Sequence, residues 1–349
     1  MSERSESALV SRRSQTFTIG LLVLLLAGLV AALVQVPLVA LGPGPTYNTI
    51  GEEGGKPVVT VTGRPVFPTT GHLQMTTVGV TDDLRALTAL KAWLDPHEQL
   101  VPRSAIYPPN KTNEQVQKEN TAQFDESENN AEIAALTYLK QPVKVVVGPV
   151  SPGAPAGNVL KEGDQLLTVK GIDVTSPEQV RQILTTTRPG DDVVIRYQRG
   201  TAPPTEGTVK VGARPDGPQG FLGISPEGRP FDPNQIVISL GDVGGPSAGL
   251  LFALAVIDKI TPDDLAGGKF IAGTGEIYPT GDVGPIGGIR LKMLGARQDG
   301  ATDFLVPAAN CAEAAAHTPE GLHLIKVATL ADAVSALKAM KAGQPVPGC

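Results

Sequence analysis

Residues 244–257 read GGPSAGLLFALAVI. A turn of small residues carries one serine, Ser247, and runs straight into an uninterrupted apolar stretch. The preceding IVISLG (236–241) has the composition of a buried strand, so the order is strand, glycine turn, helix, with Ser247 in the first helical turn. Unpaired N–H groups and the positive end of the helix dipole gather there, which suits a developing oxyanion. Gly244, Gly245 and Gly249 leave room for another backbone to approach. Plain N-capping by serine produces the same pattern without any chemistry, and on this stretch alone it is the simpler account.

A catalytic serine needs a base. Two kinds are on offer. Gly245-x-Ser247-x-Gly249 has the spacing of a nucleophile elbow, and Asp303, His317 and His323 follow it. However, no HGGG-type stretch precedes it, and the elements before Ser247 do not alternate strand and helix. The second base is a lysine. In GTGEIYPTGDVGPIGGIRLKMLGARQDGATDFLVPAAN (273–310) a glycine turn leads into a helix whose inner face carries Ile289, Lys292 and Met293. A lysine on an apolar face loses hydration, so its pKa falls toward neutrality and it can accept a proton. The alternative is a lysine stem covering the core with its ammonium in water.

GGPSAG, TGEI, VGPIGGIRLK and FLVPAAN, in that order, resemble the proteolytic domain of Lon-type peptidases. Lys292 follows Ser247 by 45 residues, about the spacing of that family. The resemblance implies Ser247 as nucleophile and Lys292 as general base. It implies Thr274 as a supporting hydrogen-bonding group, and the backbone around Gly245, Pro246 and Ser247 as an oxyanion hole. Gly244 stands where the best-known members carry Asp, with Asp242 close by, and Arg290 replaces a common Lys. No GxxxxGK[ST] occurs in the sequence, so the resemblance extends to the peptidase part and not to the ATPase part.

Val143 to about Arg214 reads as a separate module. VKVVVGPV is a strand, LKEGDQLLTVKGIDV gives two short strands around turns, and RPGDDVVIRYQRG gives another. SPEQVRQIL is a capped helix with Ser176 at the N-cap, Pro177 in the first turn and Gln179 at the capping-box position. This order resembles a PDZ domain of the bacterial protease-associated type, which implies strand addition by an extended peptide. The groove is expected between the 143–150 strand and the 176–184 helix. The carboxylate-binding loop is not assigned, because GPVSPGAPAG departs from Gly-Leu-Gly-Phe.

TFTIGLLVLLLAGLVAALV (16–34) carries no charge, and about 18–20 such residues span a ~30 Å hydrocarbon core. Arg4, Arg12 and Arg13 precede it, and no Lys or Arg follows until Lys56, which places the N-terminus in the cytoplasm and the remainder outside. A cleaved signal peptide is the alternative, although its apolar core is usually shorter, about 7–15 residues. LGPGPTYNTIG (41–51) reads as a turn-rich break, KPVVTVTG and GHLQMTTVGV as strands, 82–93 as a helix, 102–111 as irregular and 113–139 as a helix.

The formal net charge is −6 with no basic stretch, so nucleic acid is not an expected partner. Cys311 and Cys349 lack metal-ligand spacing and are expected either to pair in an oxidising compartment or to remain free thiols. No cofactor or metal is expected. The reading is an α+β chain in five parts: a cytoplasmic 1–15, a membrane helix 16–41, a linker and first peptidase part 42–142, a PDZ domain 143–214 and a peptidase part 215–349. The PDZ domain is thus inserted into the peptidase. The whole resembles bacterial membrane-bound, PDZ-containing Lon-like proteases, implying an ATP-independent serine endopeptidase acting on unfolded or membrane-associated proteins, and a homo-oligomer. A non-catalytic PDZ adaptor and an esterase using Ser247 with a histidine are the competing readings.

Overall fold

The computed structural model describes residues 3–214, 217–231, 235–241 and 243–349. Helix α1 (Glu3–Leu33) opens the chain, and its Ser14–Leu33 stretch is long and apolar enough to cross a membrane, with none of it buried against the protein. The side chains of Arg4, Arg12 and Arg13 lie outside the described residues. The helix ends at Leu33 and not at residue 41. Pro37 cannot continue a helix and pushes Val36 toward extended backbone.

Ahead of the inserted module come β1 (Leu38–Asn48), β2 (Val59–Val61), β3 (His72–Thr81), α2 (Ala86–Leu94), β4 (Gln99–Pro102) and the long helix α3 (Asn113–Tyr138). The GPGPTYN stretch, expected as a break, is part of β1. Among the described residues, strand β4 pairs only with Leu38–Leu41, and the β1–β3 register shifts between Pro43 and Thr46. The prolines therefore fall where one edge is free or the ladder is bulged, positions that do not need every N–H. The helix expected from residue 82 starts at Ala86, because Leu84 and Ala86 are hydrogen-bonded in extended form to Val36 and Val34. A short helix, Arg103–Ile106, interrupts the stretch expected to be irregular. Helix α3 opens with Thr112 accepting from the Gln115 N–H, and it buries Phe124, Ile133 and Leu136.

The module comprises β5 (Lys144–Val150), β6 (Gln165–Val169), α4 (Pro177–Thr185), β7 (Asp192–Gln198), β8 (Thr205–Lys210) and β9 (Ile224–Arg229). They form a sheet in the order β8-β7-β6-β5-β9 around a core of their own, with Val145, Val147, Leu166, Val180 and Ile195 at its centre. Ser176 caps α4 by accepting from the Gln179 N–H. Two expectations change here. The module does not end at Arg214, since β9 pairs with β5. The proline- and glycine-rich GPQGFLGISPEGRP lacks the alternation that marks a strand. And β5 has neighbours on both sides, so no peptide strand can be added to it. Among the described residues, the open edge beside α4 belongs to β9.

Beyond the module follow β10 (Ile236–Ile238), α5 (Gly249–Ile260), β11 (Phe270–Gly273), α6 (Ile289–Gln298), β12 (Asp303–Pro307), α7 (Cys311–Ala316), β13 (His323–Val327) and α8 (Leu330–Lys341). Strand β10 pairs with β2 outside the main sheet, and Val237 is exposed, so it is not the fully buried strand expected. The main sheet runs β13-β12-β11-β3-β1-β4. Three of its strands precede the module and three follow it. The β3-β11-β12-β13 ladders are parallel and the β1 ladders antiparallel, giving a mixed α+β architecture. Helix α5 is apolar from Gly249 to Ile257 and buried through Asp258, and it touches α3, β3 and α8. A disulfide joins Cys311 to Cys349 and fastens the C-terminal tail to the start of α7.

Candidate active site

The strand–turn–helix order predicted around Ser247 is present, but helix α5 starts at Gly249, and its N-cap position is Ala248 with no side-chain cap bond. Ser247 is thus in the turn ahead of the helix and does not cap it. Gly245 gives the turn its shape with φ +86°, a left-handed conformation that a side chain opposes. Three bonds fix the turn from outside. The Gly245 N–H donates to the Asn120 carbonyl (2.9 Å), the Ser127 hydroxyl to the Pro246 carbonyl (3.1 Å), and the Gly275 N–H to the Ser247 carbonyl (2.9 Å). Thr274, fully buried, adds its own hydroxyl to that same carbonyl at 3.0 Å. Asn120 and Ser127 belong to α3, so a helix preceding the module holds a turn that follows it.

Lys292 enters from α6, a helix launched by Gly288 in the left-handed region. Its neighbours Ile289, Leu291 and Met293 are fully buried, and Lys292 itself is 3% exposed. Its Nζ stands 2.9 Å from Ser247 Oγ and donates to the Thr76 carbonyl at 2.6 Å. Burial pushes the ammonium pKa down to about 7. A lysine held this way is neutral over much of the mildly alkaline range. It can keep one N–H on Thr76 and turn its lone pair to the serine hydroxyl, which is half-buried and reachable.

The sequence-expected residues do not all fall into their expected roles. Pro246 has no N–H, and the Gly245 N–H is already committed to Asn120, so neither supplies an oxyanion donor. The remaining backbone donors of the turn are those of Ser247 and Ala248. Asp242 lies outside the described residues. Asp303 is 3.6 Å from His323, and His317 Nδ1 is 3.0 Å from the Glu313 carbonyl. Both imidazoles are exposed, and no hydrogen bond joins either to Ser247 among the described residues. An elbow triad is therefore not assembled. Also among the described residues, no three His, Cys, Asp or Glu side chains converge as metal ligands. Thr76, Asn120 and Ser127 carried no motif, and only folding brings them to the site.

Residues 238–339, which contain both Ser247 and Lys292, match the Lon protease (S16) C-terminal proteolytic domain. This part of the chain is similar to a Lon-type serine-peptidase domain. Lon protease 2 of Herpetosiphon aurantiacus is 42% identical over 93 residues, and Lon protease of Roseiflexus castenholzii 46% over 66 residues. These stretches cover 26% and 19% of this chain but only 11% and 8% of the two relatives, so the chain spans a small part of their length. Residues 115–210 match the PDZ domain. That match begins within α3 and stops before β9, whereas the folded module runs from β5 to β9. The PDZ domain of an SdrC-like protein from Listeria monocytogenes is similar at 26% identity, covering 24% of this chain and 85% of its own, with a TM-score of 0.22.

A cleft of about 780 Å3 lies between the PDZ module and the peptidase part. Ser176 at the cap of α4, Arg181 of α4 and Ser225 of β9 line one wall. Asn129 of α3 with Glu276 and Tyr278 lines the other. Glu276 follows directly on Thr274 and Gly275, which hold the Ser247 carbonyl, and Asn129 lies two residues beyond Ser127. The wall of the cleft and the fastening of the serine turn are thus the same two segments.

Proposed function

We propose that this protein is a membrane-tethered serine endopeptidase that hydrolyses extended protein segments with a Ser247–Lys292 dyad and needs no nucleotide. The single observation that carries the reading is the 2.9 Å approach of a buried Lys292 Nζ to Ser247 Oγ within a Lon-type proteolytic domain. In this mechanism neutral Lys292 takes the hydroxyl proton as Ser247 Oγ attacks the substrate carbonyl carbon. The N–H groups of Ser247 and Ala248 receive the resulting oxyanion. Lys292 then protonates the departing amine. A water molecule, giving its proton to Lys292, releases the acyl group and restores the serine. Thr76 keeps Nζ aimed throughout, and Thr274 keeps the serine backbone still.

The peptidase domain in this proposal comprises 42–142 and the chain after the module, with the PDZ domain inserted between them. An extended segment adds to the free edge of β9 beside α4 and continues through the cleft toward Ser247. Without an unfolding motor, only flexible chains enter. Helix α1 holds the assembly on the outer face of the cytoplasmic membrane, as the arginine asymmetry around it supports, and the chain acts as a homo-oligomer.

The test is casein hydrolysis by the ectodomain without added nucleotide, wild type beside Ser247→Ala, Lys292→Ala and a His317→Ala/His323→Ala double variant. Loss of activity in the first two with an active histidine variant is the expected result. Activity surviving Lys292→Ala would sink the dyad. An inactive wild type that still bound unfolded chains would favour an adaptor.

A further inference from the structure

Helix α2 has two apolar faces, and only one of them is used. Ala89 and Ala92 pack inward on Ala40 and Leu84, with Val36, Leu38 and Leu100 around them. On the outward side Leu87 is 46% exposed, Leu90 50%, Trp93 70% and Leu94 67%. Leu87, Leu90 and Leu94 recur at helical spacing along one stripe with Trp93 beside it. Lys91 is the only charged residue of the helix.

What covers that face follows from where the helix is tied. The Val36 N–H donates to the Leu84 carbonyl at 2.8 Å, and the Ala86 N–H to the Val34 carbonyl at 3.0 Å. Gln35 and Arg85 form a bridge between them. The first residue of α2 is therefore hydrogen-bonded to the residue that follows the apolar helix α1. Nine residues at ~1.5 Å each give a helix of about 13 Å, so none of it can lie far from the point where the span ends. A tryptophan on an apolar stripe at that level has the chemistry of the headgroup–acyl boundary.

We infer that α2 is a second membrane contact, lying in the plane of the bilayer with Leu87, Leu90, Trp93 and Leu94 seated at the headgroup–acyl boundary of the leaflet where α1 emerges. The inference rests on the reading of α1 as a membrane span. One helix through the bilayer leaves a domain free to swivel. A second contact through α2 fixes which way the catalytic cleft faces relative to the lipid surface.

Trp93 is the one tryptophan of the chain, so its fluorescence reports this face alone. The full chain is reconstituted into phosphatidylcholine–phosphatidylglycerol vesicles, and flotation after alkaline carbonate washing establishes insertion. Trp93 emission is then compared in vesicles whose acyl chains are brominated near the headgroup or near the terminal methyl. The expected result is a blue-shifted emission that loses roughly half its intensity to the shallow bromines and less to the deep ones, because interfacial residues sit ~5–10 Å into the boundary. A carbonate-resistant chain with unquenched, water-like Trp93 emission would overturn this inference alone. A blue shift without lipid quenching, appearing only at high protein-to-lipid ratio, would overturn it in favour of a second copy of the chain on this face. A chain that does not float would overturn both this inference and the membrane span.

Discussion

Lys292 Nζ is bracketed by Ser247 Oγ at 2.9 Å and the Thr76 carbonyl at 2.6 Å, and the side chain is buried. Burial lowers its pKa to about 7, so the base form is scarce below that pH. The catalytic efficiency is expected to rise about tenfold per pH unit below 7 and to level off above it. Glu128, on α3, is pushed up to about 7 by burial and then by Asp125, so it could shape the same limb. A pH profile of peptide hydrolysis with wild type and Glu128→Gln separates the two: the rising limb persists in the variant if Lys292 is the base. Lys292→Ala is expected to lower the rate by at least about 10²–10⁴ at every pH.

The turn itself makes a second prediction. Gly245 has φ +86°, and a Cβ there would meet no other atom. Gly245→Ala should therefore cost only the backbone strain, about 1–2 kcal/mol, while moving the serine that follows. Gly249→Ala differs, since its Cβ would lie 2.5 Å from Ile277 Cγ2 and 2.8 Å from Ser127 Oγ. Overpacking of this kind costs about 1–3 kcal/mol. Thermal melting should rank Gly249→Ala at or below Gly245→Ala, and both should lose more in kcat than their melting shifts explain.

The serine, the lysine and their helices were legible because each stands in a local pattern: a glycine turn before an apolar run. Their supports were not. Thr76, Asn120 and Ser127 are ordinary residues, and only the sheet that joins β3 to β11 and the packing of α3 on α5 bring them near. The PDZ boundary was missed for a similar reason. Strand β9, ISPEGR, has one proline and one glycine, Pro226 and Gly228, and its strand character comes from pairing with β5 and not from alternation. Likewise β1 carries two prolines, made tolerable by a free edge and a bulge that no single-strand pattern announces.

The disulfide predicts a measurable dependence on redox state. Cys311 and Cys349 close a stretch of 38 residues, the Lys326 N–H donates to the Pro347 carbonyl, and Val346 packs against the core. Closing a loop of this length is worth about 2–4 kcal/mol in the chain-entropy account. Reductant should lower the melting temperature of wild type to that of Cys349→Ser and leave the variant unchanged. On the oxidising side of a membrane the bond should form, so thiol alkylation of whole cells should leave the chain unlabelled until it is reduced.

Asp258, on α5, supplies a prediction about stability that is separate from catalysis. It is fully buried, accepts the Leu265 N–H on Oδ1, and has no partner for Oδ2 among the described residues. Burial raises its pKa from 3.8 to about 6. The folded chain therefore holds a proton there that the unfolded chain has released between those two values. Stability from the protonated form is complete below about pH 4 and is lost as pH rises through 6. Asp258→Asn removes that dependence while an amide oxygen keeps the Leu265 bond. Its NH2 gains no new partner, a cost that does not vary with pH and so cancels when two pH values are compared. Denaturant unfolding of both proteins at pH 4 and pH 7.5 is the measurement. The stability difference, variant minus wild type, should grow by up to about 3 kcal/mol between the two. A difference that stayed constant would mean the carboxylate is ionised at no cost, and that its unpaired oxygen is solvated in solution.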